Sequence, residues 1–181
     1  MEHPHGAFQA FHGFFAERQA WYVPGDGHTP LTVTSKADIG RSISELIQMA
    51  LETPDAVPQR IRIAGTNRTP REIVDIFNAA AKGKTYIKLT TLSDDEAKVF
   101  MNKDNMKPPT RLPKDFDLSS IYDVATRVFR MAGSGGNLDF SQQNDNEMVN
   151  PGESKWKWKT IEAYAEEVEG MPREDVFNMD G

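Results

Sequence analysis

The sequence predicts a mixed α/β chain, and three observations lead to that class. Helix and strand signals alternate from the aromatic start to about residue 92. Beyond that point the pattern turns helical, with long polar loops between the helices. The composition, 38% hydrophobic and 27% charged with a mean hydropathy of -0.58, supports one core carrying exposed loops. At 181 residues the chain suits one domain, or one domain and a tail.

Phe8, Phe11, Phe14 and Phe15, with Ala7 and Ala10, share one helical face by their spacing. Trp21-Tyr22-Val23 suits a strand. Pro24-Gly25-Asp26-Gly27 is a turn, since glycine supplies positive φ and proline presets its own. Leu31 to Thr34 alternates like a second strand. The clearest helix begins at Asp38, where Ile39, Ile43, Leu46, Ile47, Ala50 and Leu51 form a single stripe of period 3.6. Asp38 or Ser35 caps it, and Pro54 and Pro58 stop it. Ile61 and Ile63 alternate with Arg60 and Arg62 in a short strand closed by Gly65.

Thr69-Pro70-Arg71-Glu72 opens a helix with a cap, a first-turn proline and a capping box. Its buried face is Ile73, Ile76, Phe77 and Ala80, and Gly83 sits where a left-handed terminus belongs. Lys84 to Leu92 is β-rich. Ser93-Asp94-Asp95-Glu96 is a second capping box, opening a helix with Ala97, Phe100 and Met101. Residues 105–114 hold three prolines and form a loop or binding segment. Ser119 caps a helix carrying Ile121, Val124, Ala125, Val128 and Phe129, ended by Gly133-Ser134-Gly135-Gly136-Asn137. Residues 139–154 are polar and turn-rich. Trp156 and Trp158 dock a tail onto the domain. Thr160 then caps a last helix with Ile161, Tyr164, Ala165 and Val168, stopped by Gly170 and Pro172.

Composition removes several function classes. No apolar run approaches the roughly 18–20 residues of a membrane helix. Cysteine is absent, which removes disulfides, thiol nucleophiles, Cys-ligated zinc and iron–sulfur clusters. Met1 to Gly6 shows no basic segment followed by an apolar one, so a cytoplasmic protein without a secretory leader is expected. Net charge is -6 and uneven: residues 1–90 carry 10 basic and 9 acidic side chains, residues 91–181 carry 11 and 18. An acidic chain without a basic stripe repels phosphate backbones, so no nucleic-acid partner is expected.

No catalytic constellation assembles at a recognisable spacing. His3 and His5 have no carboxylate at ligand spacing, and no metal site is expected. Gly133-Ser134-Gly135-Gly136 follows a helix instead of a strand, so it reads as a helix end and not a phosphate cradle. The aromatic segment fills a core or lines an apolar pocket. The candidate substrate-binding residues are Phe8, Phe11, Phe15 and Trp21, with no catalytic or cofactor-binding residue named.

Gly25-Asp26-Gly27-His28-Thr29-Pro30, followed by Thr34-Ser35-Lys36-Ala37-Asp38-Ile39-Gly40-Arg41, resembles the C-terminal half of NmrA-like and isoflavone-reductase-like proteins, atypical short-chain dehydrogenase relatives. Ile61-Arg62-Ile63-Ala64-Gly65 before Thr69 fits the same order. The tail, Asn144-Asp145-Asn146-Glu147 through Val149-Asn150-Pro151-Gly152 to Trp156-Lys157-Trp158-Lys159-Thr160, is similar to fungal members. The resemblance runs from about Trp21 to Pro172. It implies the C-terminal portion of a Rossmann-type NAD(P)-binding fold with a mainly helical substrate-binding subdomain, over residues 1–172, and a tail at 173–181.

The implied function is that of the substrate domain of an NAD(P)H-dependent oxidoreductase acting on small aromatic or carbonyl compounds. The alternative it implies is a non-catalytic, redox-sensing regulator that binds a protein partner through loops 102–114 and 137–155. The family's glycine-rich phosphate loop and reductase lysine match no position here. NADP or NAD is therefore expected in a full-length parent, with none binding this chain alone. As a truncated form, the chain is expected to leave strand edges and the apolar face of the Asp38–Leu51 helix uncovered.

Overall fold

The apolar residues around Trp21 become the central strand of a computed structural model that describes residues 14–15, 19–100 and 138–171. This strand, β2 (Ala20–Pro24), pairs on one side with the short antiparallel β1 (Phe14–Phe15) and on the other with the parallel β5 (Lys88–Leu92). A parallel pair needs a long crossover. Here it consists of β3 (Leu31–Val33), α1 (Lys36–Glu52), β4 (Thr66–Arg68) and α2 (Pro70–Ala81). β3 and β4 form a separate antiparallel pair, Leu31 opposite Arg68 and Val33 opposite Thr66. After β5 come α3 (Asp94–Phe100), the single turn α4 (Asn146–Val149) and α5 (Ile161–Glu167). Among the described residues the chain is mixed α/β with two small sheets.

Local chemistry places each helix start. Ser35 caps α1, Thr69 caps α2 and Thr160 caps α5, each accepting from a backbone amide three residues on. The Thr69 box is reciprocal. The Glu72 amide donates to Thr69 Oγ1 at 3.2 Å, and the Thr69 amide donates to Glu72 Oε2 at 2.7 Å. Ser93 and Glu96 repeat the arrangement at α3.

The core lies between β2, α2 and α5. Trp21, Val23, Leu31, Ile73, Val74, Phe77, Ile87, Ala165 and Val168 form one buried cluster. Ile76 and Ala80 pack against it, so the face read for α2 is the one that faces inward. Phe77 meets Tyr164 edge to face, with centroids 6.0 Å apart. At the end of α5, Gly170 has φ 72, and a Cβ there would lie 2.4 Å from both Ala81 N and Phe77 O. That close approach lets α5 seal against the backbone of α2.

Two segments differ from the sequence reading. Phe14 and Phe15 form a strand, not part of a helix, because pairing with Ala20 and Trp21 supplies their backbone partners. The strand expected at Ile61–Ile63 is irregular, and the ladder forms instead at Thr66–Arg68. Its backbone groups are taken by side chains. Arg62 N–H donates to Asp145 Oδ2 at 2.7 Å, and Ala64 N–H donates to Asn146 Oδ1 at 3.0 Å. Asn146 Nδ2 returns a bond to Ala64 O at 2.6 Å.

α1 turns Asp38 and Ser42 inward. Ile39, Ile43, Ile47 and Leu51 stand outward, 44%, 51%, 58% and 80% exposed. This matches the expectation that the apolar face of that helix is left uncovered. The helix expected from Ser119 and the loop at 102–114 lie outside the described residues.

The polar segment after Leu138 is a tied strap. Thr32 N–H donates to Leu138 O, and Phe140 N–H donates to Thr32 Oγ1. Asn150, 1% exposed, donates to Trp156 O and accepts from Lys155 N–H. Trp156 and Trp158 are partly buried and pack edge to face at 5.3 Å, as tail anchors should. Among the described residues no helix is long and apolar enough to cross a membrane.

Two glycines should respond in opposite ways. Gly170→Ala is expected to cost about 2–4 kcal/mol, from positive φ and backbone overlap together. Gly40→Ala, whose Cβ would meet nothing within 4 Å, is expected to stabilise α1 by about 0.5–1 kcal/mol. Urea denaturation of both variants measures the contrast.

The caps also set an acid response. The backbone amide and hydroxyl of Thr69 hold the Glu72 carboxyl below its ordinary value, and the hydroxyl and amide of Ser93 do the same for Glu96. A lowered folded value means the stabilisation is full above the ordinary glutamate range. It is lost as pH falls through that range to the folded value. An NMR titration of the two carboxyl carbons should give midpoints below the ordinary glutamate value. Midpoints at that value would show that the boxes are open in solution.

Candidate functional site

The segment Thr34–Arg41 and the tail Trp156–Thr160 converge at Asp38. The Asp38 side chain has no solvent exposure. A carboxylate in such a place must be supplied with donors. Ser35 Oγ donates to Oδ2 at 2.8 Å, Lys159 N–H donates to the same oxygen at 2.9 Å, and Arg41 Nη1 donates to Oδ1 at 3.0 Å. The Asp38 amide in turn donates to Ser35 Oγ at 3.0 Å, completing the cap of α1. A second tie lies beside it, where Ile161 N–H donates to Thr66 Oγ1 at 3.2 Å.

These ties hold the start of α1 and the start of α5 apart as the two walls of a groove of about 430 Å³. One wall is Val33 and the Ser35–Ala37 turn. The other is Ile161, Tyr164 and Val168, with Lys159 and Glu167 beside them. The lining is mostly apolar. Lys159 is ion-paired to Glu167, and its Nζ lies 5.5 Å from the centre of the Tyr164 ring, within cation–π range. Beyond the groove, Arg68 donates through Nε and Nη2 to Glu162 Oε1 at 3.0 and 2.7 Å. Burial acts to raise the Glu162 carboxyl, but its own backbone amide and the Arg68 fork outweigh it and hold the group below the ordinary range.

The serine and threonine hydroxyls around the groove are committed to the fold. Thr34 Oγ1 donates to Ile63 O and accepts from Gly65 N–H, Ser35 caps α1, and Thr160 caps α5. The arrangement therefore suits holding an apolar or aromatic molecule with one polar end.

The turns entering α1, α2 and α3 carry Ser35, Thr69 and Ser93 at the cap and no glycine beside it. A dinucleotide pyrophosphate needs close backbone approach at such a turn. These residues do not fit one. Among the described residues no group of three or more His, Asp or Glu side chains is placed to hold a metal ion.

The residues named from sequence fall elsewhere. Phe8 and Phe11 lie outside the described residues, and Phe15 lies in β1 opposite Ala20. Trp21 is buried in the core cluster, opposite Phe14 and Leu89, and does not line the groove. The groove residues were visible only as parts of other readings, Lys159 in the Trp156–Thr160 tail and Ile161 and Tyr164 on the apolar face of the helix that Thr160 caps. No family model, curated protein or solved structure matches this chain.

Asp38 offers a graded test. Asp38→Ala strands the Lys159 amide and the Ser35 hydroxyl, and is expected to cost about 2–4 kcal/mol. Asp38→Asn keeps one carbonyl oxygen for those two donors and is expected to cost about 1 kcal/mol. Denaturant melts, with hydrogen exchange at the Lys159 amide, separate the two. Equal costs would contradict the bonding described.

Proposed function

We propose that this chain is the substrate-binding part of an NmrA-like, NAD(P)H-dependent oxidoreductase. In this reading the groove between α1 and α5 receives a small aromatic or carbonyl compound. The observation that carries the reading is convergence. The two segments with the clearest family resemblance are 121 residues apart at the Asp38–Lys159 bond, yet they wall one groove. Its size falls among small-molecule sites, usually about 300–1,000 Å³. Its apolar lining suits an aromatic ring, with Lys36 and the Glu167-paired Lys159 at its edge.

The parallel β2–β5 pair with its helical crossover supports the finer reading, as trailing strands of a Rossmann-type sheet. The dinucleotide belongs to another part of the protein in this reading. The residues described here hold and orient the substrate.

A second reading, a non-catalytic redox-sensing regulator with a protein partner, is favoured by one observation. The apolar stripe on α1 is exposed. Of the loops expected to make such a contact, 138–155 is tied down to Thr32, Arg62 and Ala64.

Ligand-observed NMR with aromatic aldehydes and ketones is expected to show saturation transfer at roughly 0.1–1 mM. Ala37→Phe, which fills the groove from an exposed position, should abolish it. Transfer from none of the compounds, or transfer unaffected by Ala37→Phe, removes the substrate reading. Titration with NADPH should show no binding tighter than about 1 mM, because among the described residues no helix-entering turn is built to cradle a phosphate.

A further inference from the structure

We propose that Asp26 is a site of covalent self-modification, where its side chain closes on the Gly27 amide as a succinimide and reopens as isoaspartate. The inference goes beyond the function proposed above and rests on the turn between β2 and β3. Asp-Gly occurs in the chain at Asp26-Gly27 and Asp180-Gly181, and Asn-Gly does not occur. A glycine after the aspartate leaves the attacking nitrogen without a neighbouring side chain.

The geometry favours ring closure at this pair. Asp26 is exposed. His28 N–H donates to Asp26 Oδ1 at 2.9 Å. That bond curls the side chain forward over the Gly27 peptide, as in an Asx turn, and brings Cγ beside the Gly27 nitrogen. The Gly27 amide has no acceptor among the described residues, so no hydrogen bond has to break before it attacks. Nor can the fold exchange the glycine for a shielding residue. Gly27 has φ 77, and a Cβ there would lie 3.3 Å from Leu89 Cδ2 and 3.4 Å from Arg71 Cγ.

The chemistry uses water alone. The Gly27 nitrogen attacks Cγ of the protonated Asp26 carboxyl. The N–Cγ bond forms, a Cγ–O bond breaks, and the hydroxyl leaves with the amide proton as water. Water then adds to one of the two ring carbonyls. Opening at Cγ returns aspartate. Opening at the main-chain carbonyl carbon breaks its bond to the Gly27 nitrogen. The chain then runs through Cβ and Cγ, and the former main-chain carbonyl becomes a free carboxylate. Mass and oxidation state are unchanged.

The product matters because the turn is bound to α2. Arg71 N–H donates to Gly27 O at 3.3 Å, and Arg71 Nε donates to Asp26 O at 2.8 Å. Isoaspartate turns the second acceptor into a carboxylate oxygen and adds a methylene before the first. The two bonds cannot both keep their register, so ageing at Asp26 releases the start of α2 from the turn.

Prolonged incubation of the folded full chain at neutral pH tests this. Isoaspartate is read by enzymatic methylation with isoaspartyl methyltransferase and S-adenosylmethionine, and located by electron-transfer fragmentation. Trypsin releases residues 19–36 as one peptide, which separates residue 26 from Asp180. Isoaspartate is expected to accumulate at residue 26 of the native chain. Asp26→Asn, which expels ammonia instead of water, should raise the yield several-fold. Asp26→Glu, whose closure needs a six-membered ring, should abolish it. In the aged fraction, hydrogen exchange at the Arg71 amide should be faster than in fresh protein. Isoaspartate that forms in urea but not in the native chain overturns the proposal, because the fold then holds carboxyl and amide apart. So does an equal yield from Asp26→Glu, or an Arg71 amide whose exchange the modification leaves unaltered.

Discussion

A carboxylate with no access to water governs how this chain is put together. Asp38 satisfies its oxygens from three directions: its own helix cap, the next turn through Arg41, and the distant backbone of Lys159. Meeting that demand fixes the rotation of α1 about its axis. A helix cannot turn Asp38 and Ser42 inward and also bury a stripe on its other side. The isoleucines face outward as a direct result. The same bonds space the groove, because its two walls are the two segments that Asp38 joins.

Side chains elsewhere do what a larger sheet would do with backbone. The sheets are small, so many amides and carbonyls lack a strand partner, and buried ones must find another. Asp145 and Asn146 serve Arg62 and Ala64. Asn78 accepts from Ile87 N–H and donates to Ile87 O. Asn67 accepts from Thr32 and donates to Asp139. The polar composition of residues 139–154 thus belongs to the hydrogen bonding of the interior edge and is not merely a solvated loop.

Features decided locally were legible in the sequence. Helix starts at Thr69, Ser93 and Thr160 depend on a hydroxyl and the next few amides, and all stand where spacing put them. The strands at Trp21 and Leu31 and the inward face of α2 were equally plain. Features decided by distant partners were not. Ile61 and Ile63 have a strand's alternation, but Asn146, more than eighty residues away, claims the backbone beside them. Phe14 and Phe15 fit a helical stripe, yet a cross-strand neighbour decides their conformation. Lys159 and Tyr164 were legible as tail and helix face but not as one groove wall, since a bond from Lys159 to distant Asp38 places them there. The stripe on α1 was visible as a stripe, and its outward turn follows from the donors that Asp38 and Ser42 find inside.

The closure of α5 over α2 has a consequence for how the chain is made. Val168 and Ala165 complete the core around Phe77, and the Lys159 and Ile161 amides reach back 121 and 95 residues to Asp38 and Thr66. Contacts so distant in sequence slow folding, because the intervening chain must be ordered before they form. During synthesis, α2 waits with its apolar face open until the last described helix clears the ribosome. The packing around α2 is therefore completed only after α5 has been made. Chaperone contact with nascent chains should concentrate in that interval, when Ile73, Val74 and Phe77 have been made and their cover has not.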